Sequence, residues 1–289
     1  MRFRHGILLS TIALVVAANV LGFRPLPAAG QTPQQFELCA ASLKPDLVSD
    51  GPTRDLMIAS CTVLIQSGKF AGDRLAKVFL TRGGLYLGKF DYDRAFADSQ
   101  EAVRLDPRSA AAFRLRGYSY GEKKDYDRAI ADYDEAIRLA PDDPDAWFSR
   151  GVVYRSKGDI RRAIADWNEA IRLDPKFISA IYGRGFAYQA TGDYDLAIAD
   201  YDLVIRLGSE HYPHVFSYRG NAWFGKKEYD RALADYEVVL KINPKHAVAL
   251  YARGMTRKRK GIAGGDADMA AAMKISPTVA RTAGAYGVK

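Results

Sequence analysis

The chain has 289 residues, 48% of them hydrophobic and 26% charged, with a formal net charge of +8. This is the composition of a folded protein, long enough for one or two compact domains or one elongated array. Residues 1–30 carry Arg2, Arg4 and Arg24 and no acid, which leaves 39 basic against 34 acidic side chains in the rest, too mild an excess to imply nucleic acid.

The first element is a leader. MRFRH is basic, GILLSTIALVVAANVLGF is an uninterrupted apolar run, and RPLPAAG breaks it with Pro25 and Pro27 and supplies small residues before Gln31. Basic, apolar, then small is the order of a secretory signal peptide, with Ala28 and Gly30 at the small subsites. Residues 1–30 are therefore expected to be a cleaved leader of an exported protein. The run is close to bilayer-spanning length, so an uncleaved N-terminal anchor is the alternative. Cys39 lacks the preceding small residues of a lipoprotein signal.

Residues 31–75 read as a helical N-terminal cap, with QQFELCAASL and TRDLMIASCTVLIQSG as two helices joined by the turn-like KPDLVSDGP. Cys39 and Cys61 are the chain's two cysteines. In an oxidising compartment they most simply form one disulfide, closing a loop worth about 3 kcal/mol in the chain-entropy model. In a cytosolic protein they would be two buried thiols. Two thiolates with no nearby histidine leave a zinc site half built.

From residue 76 the sequence repeats. Gly83, Gly117, Gly151, Gly185, Gly220 and Gly254 each follow an arginine at a spacing of 34 residues, with one extra residue before Gly220. Four before them stand Phe79, Phe113, Trp147, Ile181, Phe216 and Leu250; three after stand Tyr86, Tyr120, Tyr154, Tyr188 and Trp223, where Arg257 departs. Ala95, Ala129, Ala163, Ala197 and Ala232 lie twelve after, and Pro107, Pro141, Pro175, Pro244 and Pro277 close all units but the fourth. Each unit reads as two helices and a short turn. In GDYDLAIADYDLVIRL, Asp193 is placed to cap the second helix, and Tyr194, Ala197, Ile198, Tyr201 and Ile205 recur at helical spacing. Glycine and alanine let paired helices approach, and proline ends the second helix.

A period of 34 with bulky residue, Gly, Tyr, Ala and Pro in that order resembles the tetratricopeptide repeat family, carried best by WFSRGVVY (147–154) and DYDRAIADYDEAIRLAP (125–141). The resemblance covers residues 76–277 as six repeats, about 76–109, 110–143, 144–177, 178–212, 213–246 and 247–277. It implies an all-α, right-handed superhelical solenoid of stacked antiparallel helix pairs. The last repeat, with GIAGGDADMAAAMKISP, reads as a thin helix pair, and 278–289 as a helical or frayed tail.

The resemblance also implies that first helices line a concave groove. Carried onto this sequence, the lining is Arg114, Tyr118, Phe148, Val152, Arg155, Tyr182, Phe186, Gln189, His214, Tyr218, Asn221, Phe224, Tyr251, Lys258 and Arg259, with about half of its aromatic rings exposed and the others packed between units. Aromatic rings interleaved with arginines and amides suit a peptide or protein partner with acidic character. A non-catalytic interaction scaffold, exported and periplasmic in a bacterium, is the expected function. The alternative is a cell-envelope assembly or enzyme-accessory factor docking on anionic lipid or polymer through the basic run RGMTRKRKG (253–261), which otherwise reads as the solvated end of a helix. Nucleic acid is not expected, and membrane contact is expected only through an uncleaved leader.

Other motifs carry little chemistry. Gly117 to Gly121 satisfies G-x-S-x-G, but Ser119 lies inside a first helix, without the strand and turn of a nucleophile elbow. His211 and His214 lack a third metal ligand. PDDPD (141–145) lacks the order and glycine of a calcium loop. No catalytic residue, metal or cofactor is assigned.

The arginine before each glycine departs from the leucine-like residue usual in the family, and an aspartate follows sixteen residues later. Arg82 matches Asp98, Arg116 Asp132, Arg150 Asp166, Arg184 Asp200 and Arg219 Asp235; Arg253 finds Asp268 one residue short. The two positions are expected to form a repeated ion pair between helices, within a repeat or with its neighbour.

Overall fold

The computed structural model describes residue 39, residues 51–208 and residues 214–288. The leader, the first cap helix apart from Cys39, and His211 lie outside the described residues. The described elements are all α-helices, and the chain divides into two compact units, residues 1–157 and 158–289.

The first unit holds α1 (Gly51–Gln66), α2 (Gly72–Gly88), α3 (Tyr92–Leu105), α4 (Ala110–Glu122), α5 (Tyr126–Leu139) and α6 (Pro144–Ser156). Each helix packs on the next in chain order. Cys39 and Cys61 are joined by a disulfide, and Cys61 is buried with Met57 and Leu64 against Val78 and Leu85 of α2. The second unit holds α7 (Ile160–Leu173), α8 (Ile178–Thr191), α9 (Tyr194–Arg206), α10 (His214–Gly225), α11 (Tyr229–Ile242), α12 (Ala247–Lys260), α13 (Gly265–Ile275) and α14 (Val279–Ala285). Here too successive helices pack on one another, and α14 also returns to α12. The tail is thus a helix docked on the last pair. Among the described residues no helix is long and apolar enough to cross a membrane.

The repeat residues define these helices at both ends. The helices α3, α5, α7, α11 and α13 each stop two residues before a proline. The residue preceding each proline is extended, as at Ala140 with φ −140° and ψ 79°, because the proline ring excludes the helical conformation there. Asp91, Asp125 and Asp159 cap their second helices by accepting from the N–H of Arg94, Arg128 and Arg162. Asp193 does not: its carboxylate accepts from Thr191 Oγ1 at 2.6 Å instead, which corrects the expected cap on α9. The turn between paired helices always passes through the left-handed region seven residues after the repeat glycine. Gly158, Gly192 and Gly261 occupy that place naturally, whereas Phe90, Lys124 and Lys227 hold it at φ of 61°, 62° and 63°.

The repeat glycines are sites of close approach. A Cβ on Gly220 would stand 2.8 Å from the Tyr236 ring, and one on Gly185 3.1 Å from the Tyr201 ring. These second-helix rings, with Tyr133 and Trp167, are among the largest fully buried side chains.

Beside each glycine runs the arginine ladder. Arg82, Arg116, Arg184, Arg219 and Arg253 each grip the aspartate of the second helix through Nε and Nη2, at 2.6–2.9 Å. The remaining guanidinium nitrogen reaches back to the preceding second helix: Arg82 Nη1 donates to Thr62, Arg184 to Asn168 and Arg219 to Asp202. One side chain therefore ties its own hairpin and links it to the one before. Arg150 and Asp166 fall in different units; within its own unit Arg150 donates to Asp134 at 2.6 Å. Several of the guanidinium groups also lie over the bulky residue three positions earlier, as Arg116 does over Phe113 and Arg150 over Trp147. Burial pushes the carboxyls of Asp98, Asp200 and Asp235 above their ordinary range, against the pull of their arginines. The same hydrogen bonds, to Asp98, Asp200 and Asp235, outweigh burial at the other partner and hold the Arg82, Arg184 and Arg219 guanidinium groups above their ordinary range, so each pair stays ionised and its loss on one side leaves a buried charge.

A second ladder runs at the surface. Lys89 pairs with Asp55, Lys123 with Asp93, Lys157 with Asp127, Lys226 with Asp195 and Lys260 with Asp230. Each joins the end of a first helix to the start of the preceding second helix. At the equivalent place in the fourth repeat both members change together, to Thr191 and Arg161.

Candidate interaction face

The first helices of the second unit bring aromatic side chains to one face. In α8, Tyr182 and Phe186 are four residues apart and so share a side of the helix. In α10, His214 and Tyr218 do the same. The rings meet around Tyr218, whose centroid lies 5.6 Å from Tyr182, 5.8 Å from Phe186, and 6.2 Å from both Tyr201 and His214. Most pairs are edge-to-face, the arrangement that aligns a ring's positive rim with its neighbour's negative face. Tyr182, Phe186, His214 and Tyr218 remain part-exposed. Burial raises the Tyr182 and Tyr201 hydroxyls well above the usual range and lowers the His214 imidazole below its own.

The C-terminal segment completes this cluster. Tyr286 stands edge-on to Tyr218, with centroids 5.4 Å apart, and to Phe186 at 6.4 Å. Its hydroxyl is pushed up to about 12, first by burial and then by Tyr218. Gln189 links core to tail: Oε1 accepts from the buried Tyr201 hydroxyl at 3.0 Å, and Nε2 donates to the Tyr286 carbonyl at 2.9 Å. Val288 is buried with Phe224, Ala232, Tyr236, Ala252 and Ala283.

Three residues expected to line an open groove are therefore covered. Gln189 is held between Tyr201 and the tail, and Phe224 lies in the cluster that Val288 enters. Asn221 is 2% exposed and accepts from the Tyr236 hydroxyl at 2.9 Å, while its Nδ2 has no hydrogen-bond partner among the described residues. Tyr251 is half-buried against the clusters under α12. Only Lys258 and Arg259 of the fifteen are fully exposed, and ten are intermediate; of the seven phenylalanine and tyrosine rings six are intermediate and Phe224 is buried, so the rings are more enclosed than the expected half. The sequence reading missed Tyr286, Val288 and Tyr201. The run AYGV, which puts a tyrosine and a valine at the end of a small-residue tail, is the signal that could have found the first two.

On the first unit, Tyr118 is half-buried, and burial, followed by nearby Glu122, raises its hydroxyl. Arg114 lies 3.3 Å from Asp143 and 3.7 Å from Asp145. Phe148, Val152 and Arg155 occupy α6 at intermediate exposure. Ser119 is fully buried and donates to the Leu115 carbonyl at 3.1 Å, so its hydroxyl serves the helix. The basic run is largely answered within the chain: Arg257 pairs with Asp268, Lys258 with Asp266 and Lys260 with Asp230. These pairs neutralise part of the run's charge, and no observation favours docking on lipid or polymer through this end.

The tetratricopeptide repeat profile matches residues 80–144, 115–176 and 148–211, and a second tetratricopeptide repeat profile matches residues 213–246, together more than half of the chain. No curated protein sequence matches it. Among solved structures, the APC/C hetero-tetramer Cut9–Hcn1 is similar at 17% identity and a TM-score of 0.62, over 87% of this chain and 52% of that one. This chain thus spans about half of that relative. A tetratricopeptide repeat protein from Parabacteroides merdae is similar at 18% identity and a TM-score of 0.60, over 89% of this chain and 99% of that one. YrrB, described as a TPR protein with an unusual peptide-binding site, is similar at 22% identity and a TM-score of 0.55, over 67% and 97%. At these identities the likeness is one of fold. The chain belongs to the tetratricopeptide repeat family.

Proposed function

We propose that the protein is a non-catalytic scaffold that binds a segment of a partner protein on the first-helix face of the second unit, anchored by Tyr182, Phe186 and Tyr218. The observation that carries this is the convergence of part-exposed rings from two successive first helices on Tyr218. Aromatic anchors give large contact area at small entropic cost, which is why they dominate binding surfaces. An acidic partner, as the arginines first implied, would have to compete with Asp143 and Asp145 for Arg114, so recognition is assigned to rings more than to charge. The test is selection of peptides from a random library on the immobilised protein, followed by affinity measurements on Tyr182→Ala/Tyr218→Ala. Selected peptides should lose at least tenfold in affinity while helical content stays the same. Unchanged affinity for every selected peptide would sink the reading.

We also propose that the protein is exported. The leader pattern of residues 1–30 supports this, and the Cys39–Cys61 disulfide fits an oxidising compartment. Mass spectrometry of the protein expressed with its leader in a bacterium should find a new N-terminus near Gln31 and two cysteines that resist alkylation until reduced. An intact leader together with two freely alkylated thiols would refute it.

A further inference from the structure

The C-terminal segment is bound as a ligand would be bound. A helix that only closed the end of the array would need apolar cover and nothing more. Residues 283–288 do more than cover. The Tyr286 ring enters a cluster built by two successive first helices. Its main-chain carbonyl accepts from a buried side-chain amide 97 residues away, and that amide is fixed in turn by the Tyr201 hydroxyl. Gly287, at φ 90°, turns the chain so that the Val288 N–H returns to the Ala283 carbonyl and the valine side chain, 1% exposed, enters an apolar site beside Phe224. Ring, backbone and aliphatic side chain are each recognised separately.

We infer that residues 283–288 are a resident, displaceable occupant of the peptide site, and that the partner segment this site selects carries the same pattern: an aromatic residue followed two positions later by a medium-sized aliphatic one. The inference rests on the peptide-binding role proposed above. Because the occupant is tethered, its effective concentration is of millimolar order. An incoming segment meets a site that is open only a fraction of the time, and its apparent affinity falls by that fraction.

The experiment measures fluorescence anisotropy of a labelled peptide, RTAGAYGVK, matching residues 281–289. It is titrated with the intact chain and with the variant Tyr286→Ala/Val288→Ser, which disables the resident segment without removing it. The variant should bind the peptide at least tenfold more tightly than the intact chain. Adding Tyr218→Ala to the variant, or Tyr286→Ala to the peptide, should abolish binding. Equal binding to both proteins would overturn the inference. If the variant ignores this peptide yet binds library-selected segments without the aromatic-x-aliphatic pattern, the resident-occupant inference falls and the peptide-binding role stands. If Tyr218→Ala leaves every segment's affinity unchanged, the role itself falls. Should the variant lose its helical signal, hydrogen exchange on the intact chain decides: excess peptide should accelerate exchange of the Val288 amide severalfold, and unchanged exchange would overturn the inference.

Discussion

Arg219 grips Asp235 with two parallel hydrogen bonds, Nε to Oδ2 at 2.9 Å and Nη2 to Oδ1 at 2.6 Å, while its third nitrogen holds Asp202 of the preceding second helix at 2.6 Å. Asp235 is 3% exposed, and Asp202 is part-exposed. Removing one partner strands a buried charge, whereas removing both strands none at Asp235. Asp235→Leu alone and Arg219→Met alone should each cost about 3 kcal/mol, and the double variant should cost less than either. Urea unfolding of the four proteins measures this; a double variant costing the sum of the singles would show that the two side chains are not coupled.

This ladder was half legible in the sequence. Arginine and aspartate recur with a constant offset, and a repeating pair of opposite charges announces a contact. The link to the preceding hairpin was less legible, because its acceptors, Thr62, Asp134, Asn168 and Asp202, vary in residue type from repeat to repeat. The enclosure of Gln189 and Phe224 was hidden for a different reason. Family position tells which side of a helix a residue occupies, but not what comes to lie on it. Here that is a tail whose Tyr286 belongs to no repeat, placed by tertiary contacts alone. The lysine–aspartate ladder was present in the sequence all along, at a spacing of about 30 residues that crosses repeat boundaries, where a reading unit by unit does not look.

The turn position seven residues after the repeat glycine stores modest strain. Lys227 holds φ 63° on an exposed turn, where a side chain costs roughly 1–2 kcal/mol relative to the right-handed region. Lys227→Gly relieves this, offset in part by glycine's greater freedom when unfolded. Stability should rise by about 0.5–1 kcal/mol, read as a higher urea midpoint with an unchanged slope. A lower midpoint would show that the lysine contributes more than its backbone strain.

Acid should act through the histidines. His246 caps α12, its Nδ1 accepting from the Ala249 N–H at 3.2 Å, and burial lowers its pKa as it does that of His214. A folded pKa below the unfolded one means that the contribution is complete above about pH 6.5 and is lost as pH falls through the folded pKa. His246→Asn keeps a capping acceptor but removes the titration. His214→Phe keeps the ring and does the same. Each should flatten the decline of Tm with falling pH below about 6.5. Identical slopes in all three proteins would assign the acid sensitivity elsewhere.

The gap in the lysine–aspartate ladder offers a designed repair. Arg161 and Thr191 stand where the other repeats have aspartate and lysine, and both are exposed. Thr191 also diverts the Asp193 carboxylate from the N-terminus of α9. Arg161→Asp/Thr191→Lys supplies the missing pair and frees Asp193 to cap its helix, as Asp125 and Asp159 do. A recovered cap is worth about 1 kcal/mol, whereas an exposed pair adds little and is screened by salt. The double variant should therefore unfold at a higher temperature than the parent, with most of the gain surviving in 1 M salt. Thr191→Ala, which frees Asp193 without adding charge, should recover the salt-resistant part. If Thr191→Ala gains nothing and the double variant's gain vanishes in salt, the cap contributes nothing and the surface pair accounts for the whole effect.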